Sequence, residues 1–179
     1  MKHRQSLETE LKLRVPSVAA LPPLLAALGF QEAQPESEEV SVLWDREGSL
    51  LAASSALRVR RYAGATLLTF KGPRIPDAQF KIRPEHETAV ADVEALEGIL
   101  RGLGFAPVLR MVKHRALWRR EELEACLDRT PFGDFLELEG DPGAIKLAFQ
   151  GLGLDASRVE PRSYPTLYRE AGLGAVTEV

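Results

Sequence analysis

A single cysteine, Cys126, stands among 179 residues, so no internal disulfide framework can form. A lone thiol suits a reducing compartment. Histidine is scarce too, with three in the chain, and no Cys/His spacing fits a structural zinc site. Long apolar runs are missing: none approaches the roughly 18 residues that a membrane helix needs. Met1–Ser6 carries no apolar segment behind its charges, so a cytoplasmic protein is expected. An excess of positive charge is also lacking. The 23 Lys and Arg face 26 Asp and Glu, for a net charge of -3. That balance argues against a specific nucleic-acid binder. Low-complexity tracts and linkers are absent as well. The length predicts one domain over residues 1–179, large enough to bury a substantial core.

What the sequence does contain is period-two alternation, the signature of strands. It predicts strands at His3–Arg14, Val40–Asp45, Ala56–Tyr62, Thr66–Lys71, Ala78–Glu87, Ala106–Trp118, Glu122–Asp128 and Gly133–Glu139. Gln34–Glu39 reads as a loop or a frayed strand start around Pro35, and Arg119–Glu122 as a hairpin turn. Helices are expected near Val18–Leu28, Ala91–Leu103, Gly143–Leu152 and Tyr164–Ala171, the first made irregular by Pro22-Pro23. Leu28-Gly29-Phe30 and Leu103-Gly104-Phe105 each follow an apolar helical stretch, with glycine where a helix end favours a left-handed residue. Leu152-Gly153-Leu154 is a weaker third copy. These are either independent helix stops or the mark of a duplicated strand-helix-strand unit.

Nearly every strand has one apolar and one ionic face. Glu8, Glu10 and Lys12 share a face, opposite Leu7, Leu11 and Leu13. Arg58 and Arg60 oppose Leu57 and Val59. Arg83, Glu85 and Glu87 oppose Phe80 and Ile82; Lys113 and Arg115 oppose Val112 and Ala116; Glu137 and Glu139 oppose Leu136 and Leu138. One strand of this kind is ordinarily a solvated sheet. The ensemble is different, because paired glutamates recur on three strands and Arg or Lys on at least five. A closed barrel with the ionic faces inward accounts for both. Paired carboxylates are hard oxygen ligands for Mg2+ or Mn2+. Clustered Arg and Lys bind phosphate oxygens. Together they point to a nucleotide or polyphosphate bridged to metal.

At Glu8-Thr9-Glu10-Leu11-Lys12 the chain resembles the ExExK strand of the CYTH superfamily, the triphosphate tunnel metalloenzymes. Further motifs follow in order. Leu57-Arg58-Val59-Arg60 is similar to the family's LRxR strand, and Thr69-Phe70-Lys71-Gly72-Pro73 to its TxKGP turn. Arg83-Pro84-Glu85-His86-Glu87 resembles RxExE, and Lys113-His114-Arg115 resembles KxR. Asp128 with Gly133-Asp134-Phe135-Leu136-Glu137-Leu138-Glu139-Gly140 resembles the LD…GxFxExE segment. Ser163-Tyr164 resembles a tail feature of the class IV adenylyl cyclase-like branch.

The resemblance implies an α+β fold: an eight-stranded antiparallel β-barrel tunnel with a polar lumen and flanking helices. It implies that Lys12, Arg58, Arg60, Lys71, Arg83, Lys113 and Arg115 bind phosphates. It implies that Glu8, Glu10, Glu85, Glu87, Glu137 and Glu139 hold Mg2+ or Mn2+, some through water, with Asp128 a further acidic partner. Glu8, Glu10, Lys12, Glu137 and Glu139 carry the catalytic expectation. The expected activity is conversion of ATP to cyclic AMP and pyrophosphate. The alternatives are hydrolysis of thiamine triphosphate, tripolyphosphate or a nucleoside triphosphate, and non-catalytic nucleotide or polyphosphate binding. Oligomeric state is left open, a homodimer included. Pro84 departs from a clean strand, and Lys146 falls on a helix, so the C-terminal lysine of some triphosphatases has no counterpart. Lys81 fits the surface as well as the lumen. His114 is expected beneath a helix, Trp44 and Trp118 in the core, and Cys126 on the face of Asp128 without activation.

Overall fold

The computed structural model describes residues 5–176. Its eight strands are β1 (Gln5–Val15), β2 (Gln31–Asp45), β3 (Ala56–Tyr62), β4 (Ala65–Lys71), β5 (Lys81–Ala89), β6 (Ala106–Arg120), β7 (Leu123–Thr130) and β8 (Gly133–Glu139). They close antiparallel into a barrel in the order β1-β5-β4-β3-β2-β6-β7-β8. The expected α+β barrel with flanking helices is therefore the observed architecture. His3 and Arg4 of the predicted first strand lie outside the described residues.

The apolar faces point outward and are covered. Leu11, Leu13, Leu127, Leu136 and Leu138 pack against Leu25 of α1 (Pro22–Ala27) and Ile145, Ala148 and Leu152 of α4 (Pro142–Leu152). Leu100 of α3 (Val93–Gly102) packs on Trp44 and Val59. Asp92 and Asp141 cap α3 and α4 by accepting from backbone amides of the first turn, which fixes where both helices begin. At one end of the barrel, α5 (Tyr164–Glu170) brings Tyr168 against Leu43, Leu109 and Met111, and Tyr164 edge-on to Phe135 at 5.5 Å.

The differences from expectation have local causes. The first helix splits into a 3-10 turn, Val18–Ala20, and α1, because Pro22-Pro23 fits only a first helical turn. Strand β2 starts at Gln31, so Gln34–Glu39 is strand. Its pairing with β6 slips between Glu32 and Gln34 and between Gln34 and Ser37. Each slip inverts the side-chain alternation, which hides the strand from a period-two reading, and Pro35 sits within the slipped stretch. Strand β5 starts at Lys81 because Asp77 accepts from the amides of Gln79 and Phe80 and closes a turn there. A short α2 (Ser49–Ala52), capped through Asp45, was not anticipated. Gly29 and Gly104, both at φ +83, turn α1 into β2 and α3 into β6. Those two strands are 15 residues each and pair with one another, whereas the third copy leads into a 3-10 turn. His114 is exposed, since among the described residues no helix covers that part of β6, while Trp44 is buried and Trp118 packs against the core.

Candidate active site

The barrel encloses a cavity of about 1330 Å3 lined by the ionic strand faces. It brings together Glu8, Glu10 and Lys12 of β1, Arg58 and Arg60 of β3, and Lys71 of β4. It adds Arg83, Glu85 and Glu87 of β5, Lys113 and Arg115 of β6, and Glu137 and Glu139 of β8. Asp128 stands behind this lining, fully buried.

Many of these charges are paired inside the barrel. Lys71 pairs with Glu8 and, at 2.8 Å, with Glu85. Lys81 pairs with Glu10, which places it in the lumen. Lys12 lies 3.4 Å from Glu137, and Arg60 donates to Glu87 at 3.2 Å. Asp128 accepts from Arg115 through both oxygens at 2.6 Å, from Lys113 at 2.9 Å and from the Tyr164 hydroxyl at 2.6 Å. Its oxygens are thus spent on fastening cations, which leaves Asp128 positioned to orient Lys113 and Arg115 rather than to face the cavity. The Tyr164 ring also underlies Lys12 and Lys113, with ammonium-to-centroid distances of 4.0 and 4.2 Å.

Pro84 has a comparable local effect. Gly72 donates its amide to the Pro84 carbonyl at 2.8 Å, but proline has no N–H to return. Arg83 Nε fills that position on the Gly72 carbonyl at 2.8 Å, and its guanidinium also donates to Ser54 and Lys71 carbonyls. Arg83 is therefore a strut between backbone segments as well as part of the wall.

The carboxylates are not evenly distributed. Glu10 lies directly opposite Glu139 across β1 and β8, and Glu124 opposite Glu139 across β7 and β8. Like charges in register on neighbouring strands repel. Burial first, then the charges of Glu8, Glu85 and Glu124, push the Glu139 carboxyl up to about 8. Burial acts on Glu137 too, but Lys12, Lys113 and Arg115 hold it well below the usual carboxylate range. A carboxyl whose folded value is raised favours folding while protonated. Glu139 contributes fully below about pH 4.5, its ordinary value, and loses that contribution as pH passes through about 8. Metal-free protein is therefore expected to lose stability to urea across that window, and Glu139→Gln to flatten the loss. An unchanged pH slope in the variant would contradict this.

Among the described residues no three His, Cys, Asp or Glu side chains form a ready-made cation cage. The donor set nevertheless fits a hard divalent cation held by one or two carboxylates and completed by water and phosphate oxygens. The crowding around Glu139 is the charge that such a cation would relieve. Cys126 is buried, and burial drives its thiol well above the normal range, so it is no nucleophile.

Sequence reading missed Glu39, placed Glu124 on the ionic face of its strand without a role, and assigned no role to Tyr164. Glu39 and Ser41 alternate with Val40 and Val42, a signal that would have extended the ionic face of β2. Glu124 shares its face with Cys126 and Asp128. Lys146 is exposed on α4, away from the lumen, and among the described residues no helix is long and apolar enough to cross a membrane.

Known proteins are similar to this chain in sequence and in fold. A family model described as the CYTH domain matches residues 6–164. A candidate adenylate cyclase of Methanocaldococcus jannaschii is 31% identical over 134 residues, covering 74% of this chain and 76% of its own length. Adenylate cyclase CyaB of Aeromonas hydrophila is 27% identical over 178 residues, covering 92% of this chain and 90% of its own. A Hippeastrum structure, described as a candidate adenylyl cyclase with a dominant triphosphatase activity, matches with a TM-score of 0.69 at 23% identity. It covers 92% of this chain and 96% of that one, a likeness of fold. With more than half its length matched by the family model, and with the barrel and its charged lumen in place, the chain belongs to the CYTH domain family.

Proposed function

We propose that the protein is a divalent-metal-dependent enzyme that acts on the triphosphate of a small molecule, converting ATP to cyclic AMP and pyrophosphate. The observation that carries this reading is the pairing, in one enclosed lumen, of a carboxylate row (Glu10, Glu139, Glu124) with a wall of Arg and Lys. Relatives bearing the adenylate cyclase name support the choice of ATP.

In this reading Arg58, Arg60, Lys113, Arg115 and Lys12 grip the phosphate oxygens. Asp128 and Tyr164 keep Lys113 and Arg115 aimed inward. Lys71 and Lys81 hold Glu8 and Glu10 in place for the metal, and Glu139 stands opposite Glu10. Mg2+ or Mn2+, when bound, would neutralise phosphate charge and lower the pKa of the attacking oxygen. The side chains supply positioning and charge, which is what phosphoryl and nucleotidyl transfer chiefly require. In cyclisation the ribose 3′-oxygen forms a bond to the α-phosphorus, the bond to the bridging oxygen breaks, pyrophosphate leaves and the hydroxyl proton passes to solvent.

The deciding experiment offers ATP, thiamine triphosphate and tripolyphosphate with Mg2+ or Mn2+ and separates cyclic product from orthophosphate. Cyclic AMP with pyrophosphate is the expected result. Orthophosphate would replace the cyclase by a triphosphatase, and no product with retained binding would make the chain a binding protein. Arg58 should matter mainly for affinity, because its Nε is buried without a partner and awaits an acceptor. Arg58→Ala is expected to raise KM about 10- to 100-fold, as loss of a charge-assisted hydrogen bond costs about 1.5–3 kcal/mol. An unaltered KM would remove Arg58 from the phosphate cradle.

A further inference from the structure

Glu39 lies where a carboxylate is least expected, inside the cationic wall. Strand β2 runs between β3 and β6. Arg58 and Arg60 flank Glu39 on one side, and Lys113 and Arg115 on the other. Glu39 is 2% exposed, yet it holds none of these cations at hydrogen-bond distance. Arg60 and Arg115 stand 3.7 Å from its Oε2, and Lys113 stands 3.7 Å from its Oε1. Among the described residues only Ser41 donates to it, at 3.2 Å on Oε1. Oε2 is buried with no hydrogen-bond partner among the described residues, and so are Arg58 Nε and Arg60 Nε.

Asp128 provides the contrast within the same cavity. A carboxylate that fastens side chains is hydrogen-bonded to them, as Asp128 is to Lys113, Arg115 and Tyr164 at 2.6–2.9 Å. Glu39 contributes charge without fastening. Arg115 is spent on Asp128 and Glu137, and Arg60 Nη2 on Glu87, whereas the Nε donors of Arg58 and Arg60 remain for an acceptor.

We propose that Glu39 is a fixed counter-charge that makes the cradle prefer a metal-complexed triphosphate over the bare polyanion. The inference rests on the functional reading above and deepens it. A bare triphosphate carries more negative charge than its Mg2+ complex. A fixed negative charge behind the phosphate-binding cations repels both, the bare form more. Without Glu39 the wall would clamp metal-free polyphosphate as an inhibitor. With it, the metal must arrive with the substrate. Glu39 is thus a specificity-setting positioning residue that does not touch the reacting atoms.

The test is calorimetric titration of the full chain with tripolyphosphate, once in chelator and once in excess Mg2+, for wild type, Glu39→Gln and Glu39→Asp. Glu39→Gln is expected to bind metal-free tripolyphosphate at least about tenfold more tightly than wild type. Its affinity in Mg2+ should change by less, and its metal-free binding should depend more steeply on salt. Glu39→Asp keeps the charge but withdraws it by one methylene, so it should fall between the two. A purely structural role moves the other way: both affinities drop together, and that result, or an unchanged ratio of the two, overturns the proposal. If Glu39→Gln does not fold, Glu39→Asp decides by the same ratio. Wild type that binds no tripolyphosphate in either condition refutes the functional reading itself and removes this inference with it.

Discussion

Glu8→Gln is expected to abolish most turnover, by about 10²- to 10³-fold, while the barrel stays folded. The substitution keeps side-chain volume and an acceptor oxygen but removes a charge from the lumen, where the metal is proposed to bind. Lys71, the partner of Glu8, retains Glu85 at 2.8 Å and is not left as a lone buried cation. The loss of stability should therefore stay near the 1 kcal/mol typical of one intramolecular hydrogen bond, about 0.5–1.5 kcal/mol. A second readout separates electrostatics from packing. The charge of Glu8 helps hold the Glu139 carboxyl up at about 8, so its removal should move Glu139 downward. Steady-state rates with saturating Mg2+, urea unfolding and a carboxyl titration by NMR check the three parts. Full metal-dependent turnover in the variant would take Glu8 out of the site.

Asp128→Ala should produce the largest loss of stability, about 3–5 kcal/mol, because it strands two buried cations. Lys113 and Arg115 both rely on Asp128, and the Tyr164 hydroxyl loses its acceptor in the same step. Glu137 and the loosely placed Glu39 can compensate only in part. Since Tyr164 belongs to α5, the helix should also detach more readily from that end of the barrel, visible as faster amide exchange over residues 164–170. Urea unfolding gives the stability change. A loss under about 1 kcal/mol would show that Asp128 does not organise the cluster.

These two residues also show what the amino-acid sequence could and could not reveal. Glu8 was legible because Glu8, Glu10 and Lys12 alternate with Leu7, Leu11 and Leu13 on an unbroken strand, and the same holds for Arg58/Arg60 and Glu137/Glu139. Which face points inward was not fixed by alternation, since a solvated face and a charged lumen have the same period. The recurrence of ionic pairs on many strands, and their order along the chain, decided it. Asp128 was legible as an acidic neighbour but not as a fastener, because its role depends on strands β6 and β7 pairing Arg115 with Asp128 and on α5 delivering Tyr164 from 36 residues away. Glu39 was hidden by the register slips of β2, which break the alternation just before it. Arg83 read as a phosphate ligand, while its bonds to backbone carbonyls follow from the missing proline N–H and only geometry shows them. His114 faces solvent instead of a helix because a barrel wall is covered only where a helix happens to return.

Acidic and basic side chains are proposed to enclose a triphosphate and its metal within the barrel. A crystal grown with tripolyphosphate and Mn2+, with diffraction recorded at the manganese edge, addresses this directly. An anomalous peak is expected beside Glu10 and Glu139, with phosphate oxygens reaching Arg58, Arg60 and Arg115. An empty lumen with polyphosphate or manganese bound only on the outer helices would contradict it.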